Sequence, residues 1–196
     1  MGWRSWNLYG AGVDQELMER VMEGLVSRKR SVDGVPTSLC DLGFCRAGLD
    51  DNWQACGKGS NFYRFHAWTN GTWHPVVDAS RFPDMAGMNA RAHGLGLTTG
   101  WYGNNCICRE LRPAGEDLYR GDVEALAGYG FDAIKLDGCG SQWDLGLWQR
   151  LLNESGRRVT IENCHWGWTV PKGDWCPWHM FRTSGDVRAS YGSVVG

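Results

Sequence analysis

Phe131-Asp132-Ala133-Ile134-Lys135-Leu136-Asp137 is the stretch that decides how this chain is read. A short, mostly apolar run that closes on a carboxylate reads as a strand buried inside a parallel sheet. Five more runs of this kind lie at residues 1–6, 44–49, 95–102, 158–162 and, more weakly, 179–183. Helical patterns separate them. Residues 14–27 carry Leu17, Val21, Met22 and Leu25 on one 3.6-residue stripe, with Asp14 placed as the N-cap. Residues 84–93, 115–129 and 141–152 follow the same rhythm. Strands alternating with helices at this spacing predict βαβ units, hence an α/β fold with a parallel sheet. Residues 55–83 read as one long loop containing six aromatic side chains, and long loops in α/β folds tend to carry function.

The composition fits one globular domain. The 196 residues are 42% apolar and 21% charged, with a formal net charge of −2, which excludes a disordered tail and a supercharged nucleic-acid arm. No basic run offers a phosphate-binding surface, so nucleic acid is not an expected partner. No apolar run reaches the ~18 residues of a membrane span, and none reads as a secretory leader. The 12 tryptophans stand out, because a buried indole N–H needs a hydrogen-bond partner. They suggest stacking surfaces, for which sugars are frequent ligands; an aromatic-packed core is the plain alternative.

Eight cysteines, Cys40, Cys45, Cys56, Cys106, Cys108, Cys139, Cys164 and Cys176, point to disulfides and an oxidising compartment. Cys106-Ile107-Cys108 has no second close Cys or His pair, so zinc spacing is not met. The absence of a C-x-x-C run argues against a thiol redox protein. Two sequons, Asn70-Gly71-Thr72 and Asn153-Glu154-Ser155, fit a glycoprotein.

The carboxylates sit where a parallel barrel does its chemistry. Asp50 and Asp51 follow the second strand, Asp137 ends the fourth, and Asp186 follows the last. The C-terminal strand ends of such a barrel form its active face. Lys135 and Asp137 are two apart on one strand and so point to the same side, which puts a positive charge beside the carboxylate. Two carboxyls across a pocket are the minimum equipment for glycoside hydrolysis. The plain alternative is that strand-end Asp residues merely cap the following helices.

Five ordered motifs resemble a known family. Met1-Gly2-Trp3-Arg4-Ser5-Trp6-Asn7 resembles the M-G-W-N-S-W-N opening of the melibiase (α-galactosidase) family, glycoside hydrolase family 27. Asp50-Asp51-Asn52-Trp53-Gln54 resembles its D-D-C-W-Q motif, and Arg81-Phe82-Pro83-Asp84-Met85 its R-F-P stretch. Lys135-Leu136-Asp137-Gly138-Cys139 resembles the K-x-D-x-C nucleophile motif, and Arg182-Thr183-Ser184-Gly185-Asp186 the R-T-x-G-D motif. Residues 49–57, 101–108 and 161–167 look closest to algal and protist members.

This resemblance implies a (β/α)8 TIM-barrel catalytic domain, here 1–196 and truncated to about six strands, with the family's C-terminal β-sandwich absent. It implies a retaining exo-glycosidase that removes terminal α-galactose and needs no cofactor or metal. Asp137 is the implied nucleophile and Asp186 the acid/base. Trp3, Asp50, Asp51, Tyr102, Lys135 and Arg182 are the implied sugar-pocket residues, with Asp50 and Asp51 accepting from the 4- and 6-hydroxyls. Cys139 is implied to bridge to Cys106 or Cys108, and Cys164 to Cys176. The implied partner is a carbohydrate, neither nucleic acid nor membrane, and the resemblance admits a homodimer. The implied location is secreted, lysosomal or vacuolar, with any leader lying upstream of this stretch. Alternatives within the family are an α-N-acetylgalactosaminidase or a β-L-arabinopyranosidase; outside it, a sugar-binding pseudoenzyme.

Three departures matter. Arg4 replaces the motif's Asn. Asn52 replaces the Cys of D-D-C-W, with Cys56 available to substitute. His165 stands where α-galactosidases often carry a Glu that reads the 2-hydroxyl, so His165 is a candidate substrate contact. The chain is also short of the ~250 residues typical of a closed barrel, so an open sheet edge and a tendency to aggregate are expected.

Overall fold

The computed structural model describes residues 2–188 and 190–195; Met1, the first residue of the expected opening strand, lies outside them. The elements run β1 Gly2–Arg4, α1 Trp6–Tyr9, a 3-10 turn, α2 Gln15–Val26, β2 Arg30–Val32, β3 Val35–Thr37, β4 Arg46–Gly48, β5 His66–Thr69 and β6 Thr72–Pro75. Then come α3 Met85–Gly94, β7 Thr98–Gly103, α4 Glu116–Tyr129, β8 Ala133–Asp137, α5 Leu145–Glu154, β9 Thr160–Cys164, β10 Met180–Phe181 and α6 Gly192–Val195.

Among the described residues the main sheet has six strands in the order β1-β4-β7-β8-β9-β10, every pair parallel. The order follows the chain without reversing. A doubly wound sheet reverses at a switch point, so this is the open arc of a (β/α) barrel. All six expected strands are present. Met180–Phe181 is the shortest, and it pairs with Glu162 and Asn163.

Local chemistry sets the helix ends. The side chains of Asp14, Asp84 and Asp144 accept from the backbone N–H three residues on, at 2.7, 2.8 and 2.9 Å, capping α2, α3 and α5. Because Asp144 is the cap, α5 starts four residues later than the apolar rhythm suggested. Gly130, left-handed at φ 86°, ends α4 by donating to the carbonyls of Leu126 and Ala127. The helices bury Met18, Met22, Leu25, Met88, Leu126, Trp148 and Leu151 against the sheet.

The expected loop at 55–83 contains a hairpin, β5–β6, and a second small hairpin is β2–β3. Their turns are Asn70-Gly71 and Asp33-Gly34, with φ of 53° and 84°, and 50° and 80°. Two consecutive positive φ values make the tight turn whose twist matches antiparallel strands, and these dipeptides favour it.

The tryptophans divide between both expected uses. Trp53, Trp73, Trp101, Trp148 and Trp178 are buried, while Trp68, Trp166, Trp168 and Trp175 are exposed. Trp101 stacks on Phe131, and Trp53 packs on Trp101 while donating its indole N–H to the carbonyl of Tyr102 at 3.0 Å.

Three disulfides form: Cys40–Cys45, Cys56–Cys108 and Cys106–Cys139. Cys106 rather than Cys108 meets Cys139, and Cys108 takes Cys56. The expected Cys164–Cys176 bridge does not form, and both thiols are free. Cys164 is buried at the end of β9, where Arg182 lies against its sulfur, whereas Cys176 is exposed beyond a tight turn at Lys172–Trp175. The intervening segment folds back on β9 through Thr169, whose carbonyl accepts from Asn163 at 2.8 Å, and not through Cys176. Both sequon asparagines, Asn70 and Asn153, are exposed.

Candidate active site

The C-terminal ends of the parallel strands bring together side chains that lie up to 180 residues apart. A cavity of 140 Å³ is lined by Trp6, Asp50, Asp51, Tyr102, Cys106, Lys135, Asp137, Trp166, Arg182 and Asp186. Seven of these, Asp50, Asp51, Tyr102, Lys135, Arg182, Asp137 and Asp186, were expected from the sequence.

Asp137 is held at both carboxylate oxygens. It ends β8 and is buried. The Tyr102 hydroxyl donates to its Oδ2 at 2.9 Å, and Gly138 N–H donates to its Oδ1 at 2.7 Å. Lys135 Nζ stands 3.8 Å from Oδ2. Burial, reinforced by the charges of Asp51, Asp137 and Asp50, pushes the Tyr102 phenol far above its ordinary range. Tyr102 is therefore a permanent hydroxyl donor to Asp137 at any physiological pH.

Lys135 also binds Asp50, at 2.8 Å, and Arg4 Nε lies 3.8 Å from the same Asp50 oxygen. Asp50 Oδ1 accepts the N–H of Asp51. Asp51 is used mainly by the backbone. Its Oδ2 accepts from Cys106 N and Ile107 N, both at 2.9 Å, and its Oδ1 from Asn52 N at 2.8 Å. Burial outweighs these donors and raises its pKa. Asp51 thus buttresses the Cys106 loop as well as facing the cavity.

Asp186 is the exposed member. It sits past Gly185, is held by Arg182 at 3.0 Å and lines the same cavity as Asp137. Support for Asp137 comes from sheet, tyrosine and lysine; support for Asp186 comes from one arginine.

Two expected contacts do not line this cavity, although Trp3 lines a groove that shares Trp6, Asp50, Lys135, Arg182 and Asp186 with it. Trp3 lines a wider, open groove of 690 Å³ with Arg4, Lys135 and Glu162, and packs edge-on against Tyr9. Trp6, three residues further on, lines both the groove and the smaller cavity. His165 is buried with Nδ1 on the Thr169 hydroxyl at 2.9 Å and its ring against Trp143, and it does not line the cavity. Burial holds its pKa below the ordinary histidine value, so the ring is neutral. Its neighbour Trp166, left-handed at φ 49°, takes the cavity position. A Cβ on Gly138 would sit 3.0 Å from the Trp166 ring, so a larger residue there requires that ring to shift beside Asp137.

Arg4, the departure from the opening motif, lies across the glycines of neighbouring strands. A Cβ at Gly48 would sit 3.1 Å from its guanidinium carbon, and one at Gly100 3.3 Å from its Nη2. It pairs with Glu162 of β9 at 2.5 Å and donates to the carbonyl of Leu49. Cys106 and Cys139 flank Asp137 closely. Their sulfurs are joined to each other, so this cluster offers no thiolates to a metal.

The structure is an open β/α barrel arc with several carboxylates gathered at its C-terminal rim. No protein-family model matches the chain. Over its whole length it is 27% identical to an alpha-galactosidase of Cyamopsis tetragonoloba, covering 45% of that protein. Its fold matches alpha-galactosidase I of Mortierella vinacea at a TM-score of 0.65 and 26% identity, over 85% of this chain and 40% of that one. It also matches a family 27 β-L-arabinopyranosidase of Geobacillus stearothermophilus at a TM-score of 0.61 and 17% identity, over 83% of this chain and 48% of the other. The chain is thus similar over its whole length to curated alpha-galactosidases, and it spans under half the length of those it matches.

Proposed function

We propose that this chain carries the catalytic centre of a retaining exo-glycosidase that removes terminal α-linked galactose from oligosaccharides or glycoconjugates. The observation that carries the reading is Asp137 itself, a carboxylate at a strand end, held by Tyr102 and Gly138 beside Lys135, with Asp186 lining the same cavity. Asp137 attacks C1 while Asp186 protonates the leaving oxygen. A galactosyl ester on Asp137 results, and Asp186 then takes a proton from the water that hydrolyses it.

The environments of the two acids suit this division. The nucleophile needs a fixed approach, and Asp137 is pinned at both oxygens. The acid/base exchanges protons with the leaving group and with water, and Asp186 is solvent-exposed on its loop. Asp50 and Lys135, joined at 2.8 Å, supply an acceptor and a donor for sugar hydroxyls, and Trp6 and Trp166 supply apolar faces. No cofactor enters this chemistry.

The test is a panel of nitrophenyl α-galactoside, α-N-acetylgalactosaminide and β-L-arabinopyranoside. Turnover of the α-galactoside that is abolished by Asp137→Asn is the expected result, since an amide cannot form the ester. Turnover of another sugar in preference reassigns the substrate, and turnover of none leaves sugar binding without chemistry.

A further inference from the structure

A chain of buried polar side chains runs from the β5–β6 hairpin to the loop that follows Asp137, and none of its members lines the cavity. It begins at Glu110. One carboxylate oxygen accepts the N–H groups of Arg64, Phe65 and His66, at 2.6, 2.8 and 3.3 Å, and the other meets His66 Nδ1. His66 Nε2 lies 3.0 Å from Asp122 Oδ1 on α4. Asp122 Oδ2 accepts from the Gln142 side-chain amide at 2.5 Å. Gln142 then passes the contact on through its backbone. Its N–H donates to Asn104 Oδ1 at 2.9 Å and its carbonyl accepts from Asn104 Nδ2 at 3.2 Å. The same Asn104 amide donates to the main-chain carbonyl of Asp137 at 2.9 Å.

Such a chain is costly. His66, Glu110, Asp122, Gln142 and Asn104 are all buried, and buried charges stabilise a fold little over well-packed apolar groups. What they offer instead is fixed geometry. Asp137 is followed by Gly138-Cys139-Gly140-Ser141, a loop with two glycines and little stiffness of its own. The loop is tethered at Cys139 by the disulfide to Cys106 and at Gln142 by Asn104 and Asp122.

We infer that Gln142, held by the Glu110–His66–Asp122 triad, is a positioning residue that sets the backbone of Asp137 for attack. It touches no reacting atom. Its side chain fixes the far end of the glycine loop, and through Asn104 that fixes the Asp137 carbonyl. The inference rests on the proposed role of Asp137 as nucleophile. Displacements of about 1 Å from remote changes can cost on the order of 100-fold in rate, so an effect of about tenfold or more on turnover is expected.

The experiment exchanges the polarity of one hydrogen bond. Gln142→Glu sets a carboxylate against Asp122, and Asp122→Asn with Gln142→Glu restores a donor–acceptor pair with the direction reversed. Two readouts are taken well below each protein's melting temperature: steady-state kinetics on α-galactosyl fluoride, and amide hydrogen exchange at residues 138–141. The single change should lower kcat about tenfold or more with KM nearly unchanged and speed exchange in the loop, and the double change should recover both. Gln142→Met, which drops the donor and keeps the backbone bonds, serves if the glutamate variant does not fold. A wild-type chain that does not turn over the fluoride refutes the proposed reaction, and the exchange data still judge the tether. Unchanged exchange, unchanged kcat beside a lowered melting temperature, or a double variant that regains only stability overturns the positioning role.

Discussion

Removing the Cys56–Cys108 bridge, with Cys56→Ala and Cys108→Ala together, should be the most damaging of the three disulfide deletions. The bridge spans 52 residues of sequence, against 33 for Cys106–Cys139 and 5 for Cys40–Cys45. Loop-closure entropy in the unfolded chain then assigns about 4 kcal/mol to the first and about 2 kcal/mol to the last at 25 °C. For a chain of this size each kcal/mol moves the melting temperature by roughly 2–4 °C. The Cys56/Cys108 variant should therefore melt about 8–16 °C lower, and the Cys40/Cys45 variant about 4–8 °C lower. Local structure works in the same direction. Cys108 lies in the segment that carries Asn104, Cys106 and Glu110, and it is itself buried. Differential scanning calorimetry on the three double variants, in the absence of reductant, reads the ranking directly. A Cys40/Cys45 deletion that costs as much as Cys56/Cys108, or a Cys56/Cys108 deletion without a shift, would refute unfolded-state entropy as the main contribution of the bridges.

Thiol titration of the oxidised chain should find two free cysteines in denaturant and one in the native state, because Cys176 is exposed and Cys164 buried; zero in denaturant would restore the Cys164–Cys176 bridge. The His66 charge should make stability pH-dependent. Its folded pKa is pushed up to about 10, against ~6.5 unfolded, by the neighbouring Asp122 and Glu110 charges and hydrogen bonds, which overcome burial. The contribution is complete below pH 6.5 and is lost as pH rises through 10, with a slope of about 1.4 kcal/mol per pH unit between them. Urea melts at pH 6, 8 and 10 should show that decline in the wild type and lose it in His66→Leu; parallel curves would mean that His66 is neutral. Asp186→Ala should spare galactosides whose leaving group needs no proton and lose the natural linkages; equal loss on both contradicts its role as the acid.

Much of the site was legible because it depends on parity and order along strands. Lys135 and Asp137 share a face by spacing two, and consecutive parallel strands deliver their C-terminal carboxylates to one rim whatever the rest of the packing does. The helix starts at Asp14 and Asp84 were equally local, since a cap depends on four consecutive residues. The two hairpins were also written locally, in Asp33-Gly34 and Asn70-Gly71, but the second was read as a sequon and the aromatics around it as a loop. In the structure two of those aromatics, Tyr63 and Phe65, pack against His66.

What the tertiary structure alone decided are the choices between near neighbours and the pairings between distant ones. Trp3 and Trp6, Cys106 and Cys108, His165 and Trp166 are each one to three residues apart, so composition and motif treat them alike. Small backbone angles separate them: a left-handed Trp166 turns its own ring to the cavity and leaves His165 against Trp143. The partners of His66, 44 and 56 residues away, lie in the β7–α4 loop and on α4 and leave no periodic trace in the chain. A residue's local pattern fixes its element and face, because sterics and hydrogen bonding act over a few residues. Which side chains meet across elements depends on how those elements pack, and packing is a property of the whole sheet.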